Sequence, residues 1–249
     1  MFSALKSEFR KITTVRSTYV IFALALLLVA FFSFYATGWR ASHAQQFDTN
    51  LLAAQVQQAI VSVGLLGSIV GVLLVTHEYR YNTIMYTLTN TGSRTKVYVA
   101  KLLAVTGFAL IFTVTMGVLS PLLTVAGMSA HGLSLVPQNM PLASLFWEAL
   151  FVGWGYSMLS FVFAMIIRVQ VGAISAMFLV PAMLEPLLGI LLKKNAVYLP
   201  YNSLQSVLGQ ASSPELAHIS AGTGAVVIMA YLVLGFLVSW QLFVQRDAQ

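Results

Sequence analysis

The chain has 249 residues, of which 59% are hydrophobic and only 8% charged, with a mean hydropathy of +0.85. Soluble domains carry about a quarter of their residues as charges, so a water-soluble globular protein is excluded and a membrane protein is implied. The absence of cysteine rules out a disulfide framework and a thiolate metal site, and the net charge of +6 is a topology signal rather than a nucleic-acid footprint.

Residues 2–16, FSALKSEFRKITTVR, place Phe2, Leu5, Phe9 and Ile12 at three- and four-residue spacing among Lys6, Arg10, Lys11 and Arg16. That pattern predicts an amphipathic helix in the headgroup layer. Two other readings stay open: the positive flank of the first span, and a signal peptide for which Ser42 and Ala44 suit the small-residue cleavage rule. The charge-free run over 17–39 has 23 residues, longer than the roughly 7–15 of a signal-peptide core, so the segment is expected to remain attached.

A bilayer crossing needs about 20 predominantly apolar residues, a length met by 18–37, 57–76, 97–124, 145–167, 171–192 and 221–243. The fold class expected is therefore an all-α membrane protein of six transmembrane helices. With a cytoplasmic N-terminus, the inner side holds Lys6, Arg10, Lys11, Arg16, Arg80, Arg94, Lys96, Lys101, Arg168 and Arg246. Arg40, Lys193 and Lys194 lie outside. Ten basic residues against three is a positive-inside bias that also places the C-terminus in the cytoplasm. The outer segments 38–56, 125–144 and 193–220 are each below the roughly 50 residues of a folded domain, so 1–249 reads as one transmembrane domain.

The segment 77–96 is the main cytoplasmic structure. Tyr81, Ile84, Met85 and Leu88 fall at i, i+3, i+4 and i+7, one face of a short helix; Asn90, Thr91 and Gly92 break it, and Ser93 is placed to cap the next. The apolar stripe needs another surface, expected to be a separate protein.

The fifth span contains Pro181, Glu185 and Pro186. Pro181 lacks the N–H that would bond to residue 177, so a kink with freed carbonyls is expected. A carboxylate at depth costs about 2.5–3.5 kcal/mol on insertion scales and needs a partner. Three readings stay open for Glu185: a polar point on a substrate path, a protonated acid donating to freed backbone carbonyls, and a salt bridge with a snorkelling Lys193. In the outer segment, Tyr198, Leu199, Tyr201, Leu204, Val207 and Leu208 suit one or two short helices punctuated by Pro200, Gly209 and Pro214, with a plain surface loop as the alternative. Gly64, Gly67 and Gly71 in the second span, and Ser220 with Gly224 before and in the sixth, are expected to form close helix contacts, within the chain rather than at a dimer seam. Trp39, Trp147 and Tyr198 suit the interfacial aromatic belt. His43, His77, His131 and His218 show no ligand spacing.

This order of segments resembles the permease subunit of a type-2 ABC transporter over essentially the full length. The loop carries most of the likeness: Glu78, Asn82 with Thr83, Thr91 with Gly92, Ser93 with Arg94, and Lys101 stand where that family typically shows Glu, Gly-Thr, a turn, Ser-Arg and Lys. Asn82 replaces the usual Gly and the usual Pro is missing; Asn tolerates the same unusual backbone angles. The outer LPYNSLQSVLG resembles the family's re-entrant segment. The resemblance implies a dimer of identical or paralogous permeases driven by two ATP-binding subunits, with the loop helix seated in a groove of the ATPase. Tyr81, Ile84, Met85 and Leu88 would be its knobs, with Glu78 and Arg80 as a charged rim. The chain has no phosphate-binding G-x-x-x-x-G-K-[ST], so no cofactor is expected to bind it directly and ATP and Mg would sit on the partner. The expected activity is export of an amphipathic or hydrophobic compound, such as a peptide antibiotic, drug or lipid-like molecule. The alternative is a membrane-embedded enzyme or an accessory or immunity protein acting without ATP, although only Glu185 lies clearly within a span. A secondary transporter would show related halves, and no such repeat is apparent between 1–124 and 125–249.

Overall fold

A computed structural model describes residues 2–39, 49–132, 142–209 and 217–245. Arg40, His43, Pro214, Arg246 and the cleavage site weighed before Gln45 lie outside those segments. The described elements are all helical. Helix α1 (Phe2–Thr14) leads into α2 (Arg16–Val29), which continues as a wide π-type turn over Ala30–Trp39. Helices α3 (Thr49–Arg80), α4 (Ile84–Thr91), α5 (Arg94–Ala130) and α6 (Leu142–Ile167) follow. Then come α7 (Gln170–Leu179), α8 (Glu185–Leu192), α9 (Pro200–Val207) and α10 (Ala221–Gln245).

Five described stretches are long and apolar enough to cross a membrane: Arg16–Tyr35, Arg94–Ala130, Phe146–Ile167, Gln170–Tyr198 and Ala221–Gln245. The remaining expected span, 57–76, falls within α3. That helix forms the centre of the bundle, packed on α6 and α5. Its glycines explain how: a Cβ on Gly64 would lie 3.2 Å from the Tyr156 ring, and one on Gly67 would lie 2.6 Å from Phe112. Gly71 is equally tight, with Ser160 Oγ and Val105 each 3.1 Å away. All three therefore face other helices of the same chain, as small residues do where helix backbones approach closely. Gly224 plays the same part for α10, where a Cβ would come within 2.7 Å of the Ser203 carbonyl of α9.

The expected fifth span is interrupted where its prolines predict. The backbone passes through a π-type turn over Val180–Leu184 between α7 and α8, one of the few ways a helix absorbs a missing N–H. The outer segment is not a plain loop. A 3-10 turn over Lys193–Tyr198 enters α9, whose Tyr201, Ser203, Leu204, Ser206 and Val207 are all buried against the bundle. Trp39, Trp147 and Tyr198 are exposed on the outside of the fold.

Candidate functional site

The loop between α3 and α5 forms as its residues dictate. Asn82 takes the left-handed conformation, φ 53°, where the family pattern has glycine. Gly92 closes α4 at φ 67° with its N–H on the Leu88 carbonyl, and Ser93 Oγ accepts from Lys96 N at 3.5 Å to open α5. The short helix is thereby held between two long ones by turns of fixed geometry.

Its faces are not those expected from periodicity alone. Ile84 is only 3% exposed and belongs to the main core, and Leu88 is half-buried against the same core. The face left open consists of Tyr81, Met85 and Tyr86, exposed by 63%, 52% and 77%. Ile84 and Leu88 therefore anchor α4 to its own bundle, while Tyr81 and Met85, with Tyr86 in addition, are exposed. Arg80, expected on the charged rim, is exposed: its guanidinium donates to Gln170 Oε1 at 3.0 Å and stands 5.5 Å from the Tyr81 ring.

Glu78, expected on the same rim, is buried. It is 4% exposed and lies in a cluster of four charges drawn from three helices, with Glu8 and Lys11 of α1 and Lys101 of α5. Lys101 Nζ is 3.0 Å from Glu8 Oε2 and 3.0 Å from Glu78 Oε2. The Glu78 contact falls outside hydrogen-bond geometry and is an ion pair only. Lys11 Nζ donates to Glu8 Oε1 at 2.6 Å and to Glu78 Oε1, and Thr87 of α4 donates to that same Glu78 oxygen at 3.2 Å. Burial by itself pushes Glu78 up, but Lys101 and Lys11 outweigh it and hold its carboxyl below the usual carboxylate range. Burial likewise pushes Lys11 down, and Glu78 and Glu8 outweigh it, so Lys11 is raised. Two positive and two negative groups compensate one another where an unpaired charge would be prohibitive.

Sequence reasoning missed Glu8 and gave Lys101 no structural role. A signal was present. Glu8 lies three residues after Leu5 and four before Ile12, on the apolar stripe of α1, and Lys101 lies four after Val97 and four before Val105 on the buried face of α5. A charge on an apolar stripe needs a partner.

At the opposite end of the fifth span, Glu185 is 2% exposed and its two oxygens accept from the backbone N–H groups of Tyr201, at 2.7 Å, and Asn202, at 2.9 Å. It is the N-terminal cap of α9, supplied from a distant segment. The carbonyl of Met177, left without its helical donor by Pro181, accepts instead from Tyr201 Oη at 3.3 Å. Tyr201 rather than Glu185 thus satisfies the freed carbonyl, and the carboxylate accepts rather than donates. Among the described residues Glu185 makes no ion pair with Lys193.

A short helix thus joins two long apolar ones, the stretch 170–198 is broken at Pro181, and α9 is buried against the bundle. A family model described as "ABC-2 family transporter protein" matches residues 4–191. The chain belongs to the ABC-2 transporter family. As an ABC-2 protein it is a multi-pass membrane component of a transporter, and the matched region contains the four-charge cluster, α4 and Glu185. No match was found among curated proteins.

Proposed function

We propose that the chain is the permease subunit of an ATP-driven ABC exporter, with six spans, both termini in the cytoplasm and a single transmembrane domain. It works as a dimer with an identical or paralogous permease, driven by two copies of a separate ATP-binding subunit that carries ATP and Mg. Its cargo is an amphipathic or hydrophobic compound taken from the bilayer, a reading supported by the short outer segments; nucleic acid has no place in it.

The observation that carries this reading is the open face of α4. Met85 and Tyr86 are exposed on a helix that the buried Ile84, the turn at Asn82 and the C-cap at Gly92 fix to both α3 and α5, and Tyr81 is exposed in the turn that precedes it. Such a helix serves as a coupling lever: aromatic and methionine anchors enter a groove on the ATPase, and movement there passes to two spans at once. Isolating the membrane protein with its neighbours tests this. An ATPase is expected to travel with it, and ATP hydrolysis is expected to rise with cargo. Transport by the purified chain in vesicles without any nucleotide-hydrolysing partner would overturn the proposal.

A further inference from the structure

Two clefts share a wall at the junction of α1 and α4, and their linings differ in kind. The first, about 590 Å³, is lined on the bundle side by Ile12, Val15, Val70, Leu73 and Leu74. The second, about 420 Å³, is polar, with Ser7, Glu8, Asn90, Thr91 and Lys96 in its wall. Lys11, Tyr86 and Thr87 line both. The larger cleft extends from the last hydrophobic turns of α3, at Val70, Leu73 and Leu74, out past His77 and Glu78 to Thr83, whereas the polar cleft lies between α1, α4 and the first turns of α5. The pair therefore runs from acyl-chain depth out to headgroup depth.

The charges around the polar cleft can be assigned one by one. Both oxygens of Glu8 are taken by Lys11 and Lys101, and both oxygens of Glu78 by the same two lysines. Lys96 is exposed, and its ammonium has no hydrogen bond or ion pair among the described residues. Three lysines against two glutamates leave a surplus positive charge beside a hydrocarbon-lined chamber. His77 adds none at neutral pH, because burial and then Arg80 hold its imidazole below the usual histidine range.

We propose that these two clefts are one binding site for a single anionic phospholipid of the leaflet against which α1 lies. The acyl chain occupies the apolar chamber, and the phosphate sits against Lys96 and the outer side of Lys11, within reach of the Ser7 and Thr91 hydroxyls. Basic recesses at the membrane face are suited to such headgroups, and a buried chain adds affinity with each methylene. The chamber has the size of an ordinary small-molecule site. Because the lipid would touch α1 and α4 together, its occupancy would stiffen the joint between the interfacial helix and the exposed lever.

The test is native mass spectrometry of the purified full-length chain in detergent, titrated with phosphatidylglycerol or with phosphatidylcholine of the same acyl chains. One phosphatidylglycerol is expected to be retained per chain at roughly tenfold lower concentration than phosphatidylcholine. Lys96→Ala should erase that preference without changing phosphatidylcholine retention. Val15→Trp, which fills the chamber, should lower retention of both lipids; should it fail to fold, Leu73→Phe takes its place. Excess glycerol 3-phosphate should not displace the lipid. Equal retention of the two lipids, wild-type behaviour of either variant, or full displacement by glycerol 3-phosphate would overturn the proposal. The assay contains no ATPase and no cargo, so its failure leaves the exporter reading standing, and the failure of that reading leaves this one standing.

Discussion

Lys101 Nζ lies 3.0 Å from Glu8 Oε2, across 93 residues of chain, in a site where both side chains are almost wholly buried. With Lys11 and Glu78 this pair locks α1 onto α3 and α5, and Thr87 brings in α4 through Glu78. Helices α1, α3, α4 and α5 are thus joined by one electrostatic knot.

Removing one member of the knot should be worse than removing two. Lys101→Met leaves two buried carboxylates with only Lys11 between them and should cost about 3–5 kcal/mol. Adding Glu8→Gln to Lys101→Met restores the charge balance and should recover part of that loss. Thermal unfolding of the purified proteins in detergent checks the order; a double variant less stable than the single one would refute the account.

The knot also sets a pH window. Glu78 is depressed in the fold, so its contribution is complete above the ordinary value near 4.5 and is lost as pH falls through its lower folded value. Lys11 is raised, so its contribution is complete below the ordinary 10.5 and is lost as pH rises through its higher folded value. Thermal stability measured against pH should form a plateau between those limits, and Glu78→Gln should remove the acid-side dependence due to this group.

Glu185 and Tyr201 should behave as a cap and a clasp. Glu185→Ala strips both acceptors from the start of α9 and should cost about 1–3 kcal/mol, with Glu185→Gln intermediate because one acceptor oxygen is kept. Tyr201→Phe releases only the Met177 carbonyl and should cost about 1 kcal/mol. Unfolding temperature, together with protease sensitivity of the segment 193–220, reads out all three. A Gln variant as damaged as Ala would show that charge, rather than acceptor geometry, matters.

Glycine substitutions separate packing from helix propensity. Gly224→Ala drives a methyl against the Ser203 carbonyl, which as backbone cannot swing aside, and should cost about 1–3 kcal/mol. Gly117→Ala meets nothing within 4 Å and should be neutral or stabilising by up to about 1 kcal/mol. Parallel melts of the two variants give the comparison.

On the lever, Met85→Asp with Tyr86→Asp should leave insertion and thermal stability unchanged while abolishing association with the ATPase and cargo-stimulated hydrolysis. Ile84→Asp is expected to destabilise the permease itself, since that side chain is in the core. Retained association in the Met85/Tyr86 variant would move the docking surface elsewhere.

The class of protein, the punctuation of its loop and the break in its fifth span were all legible in the residues. Each depends on interactions within a few positions: total apolarity, the left-handed tolerance of Asn82 and Gly92, the cap at Ser93, the missing N–H of Pro181. Only the tertiary structure decided that Ile84 turns inward and Tyr86 outward, that Glu78 is paired with Lys101 and Lys11, and that Glu185 caps a helix beginning 15 residues later. The physical reason is that a span apolar on every side looks the same toward lipid as toward protein, so periodicity loses its power to assign faces there. A buried charge announces that it needs a partner, but which partner it finds depends on contacts that local sequence does not encode.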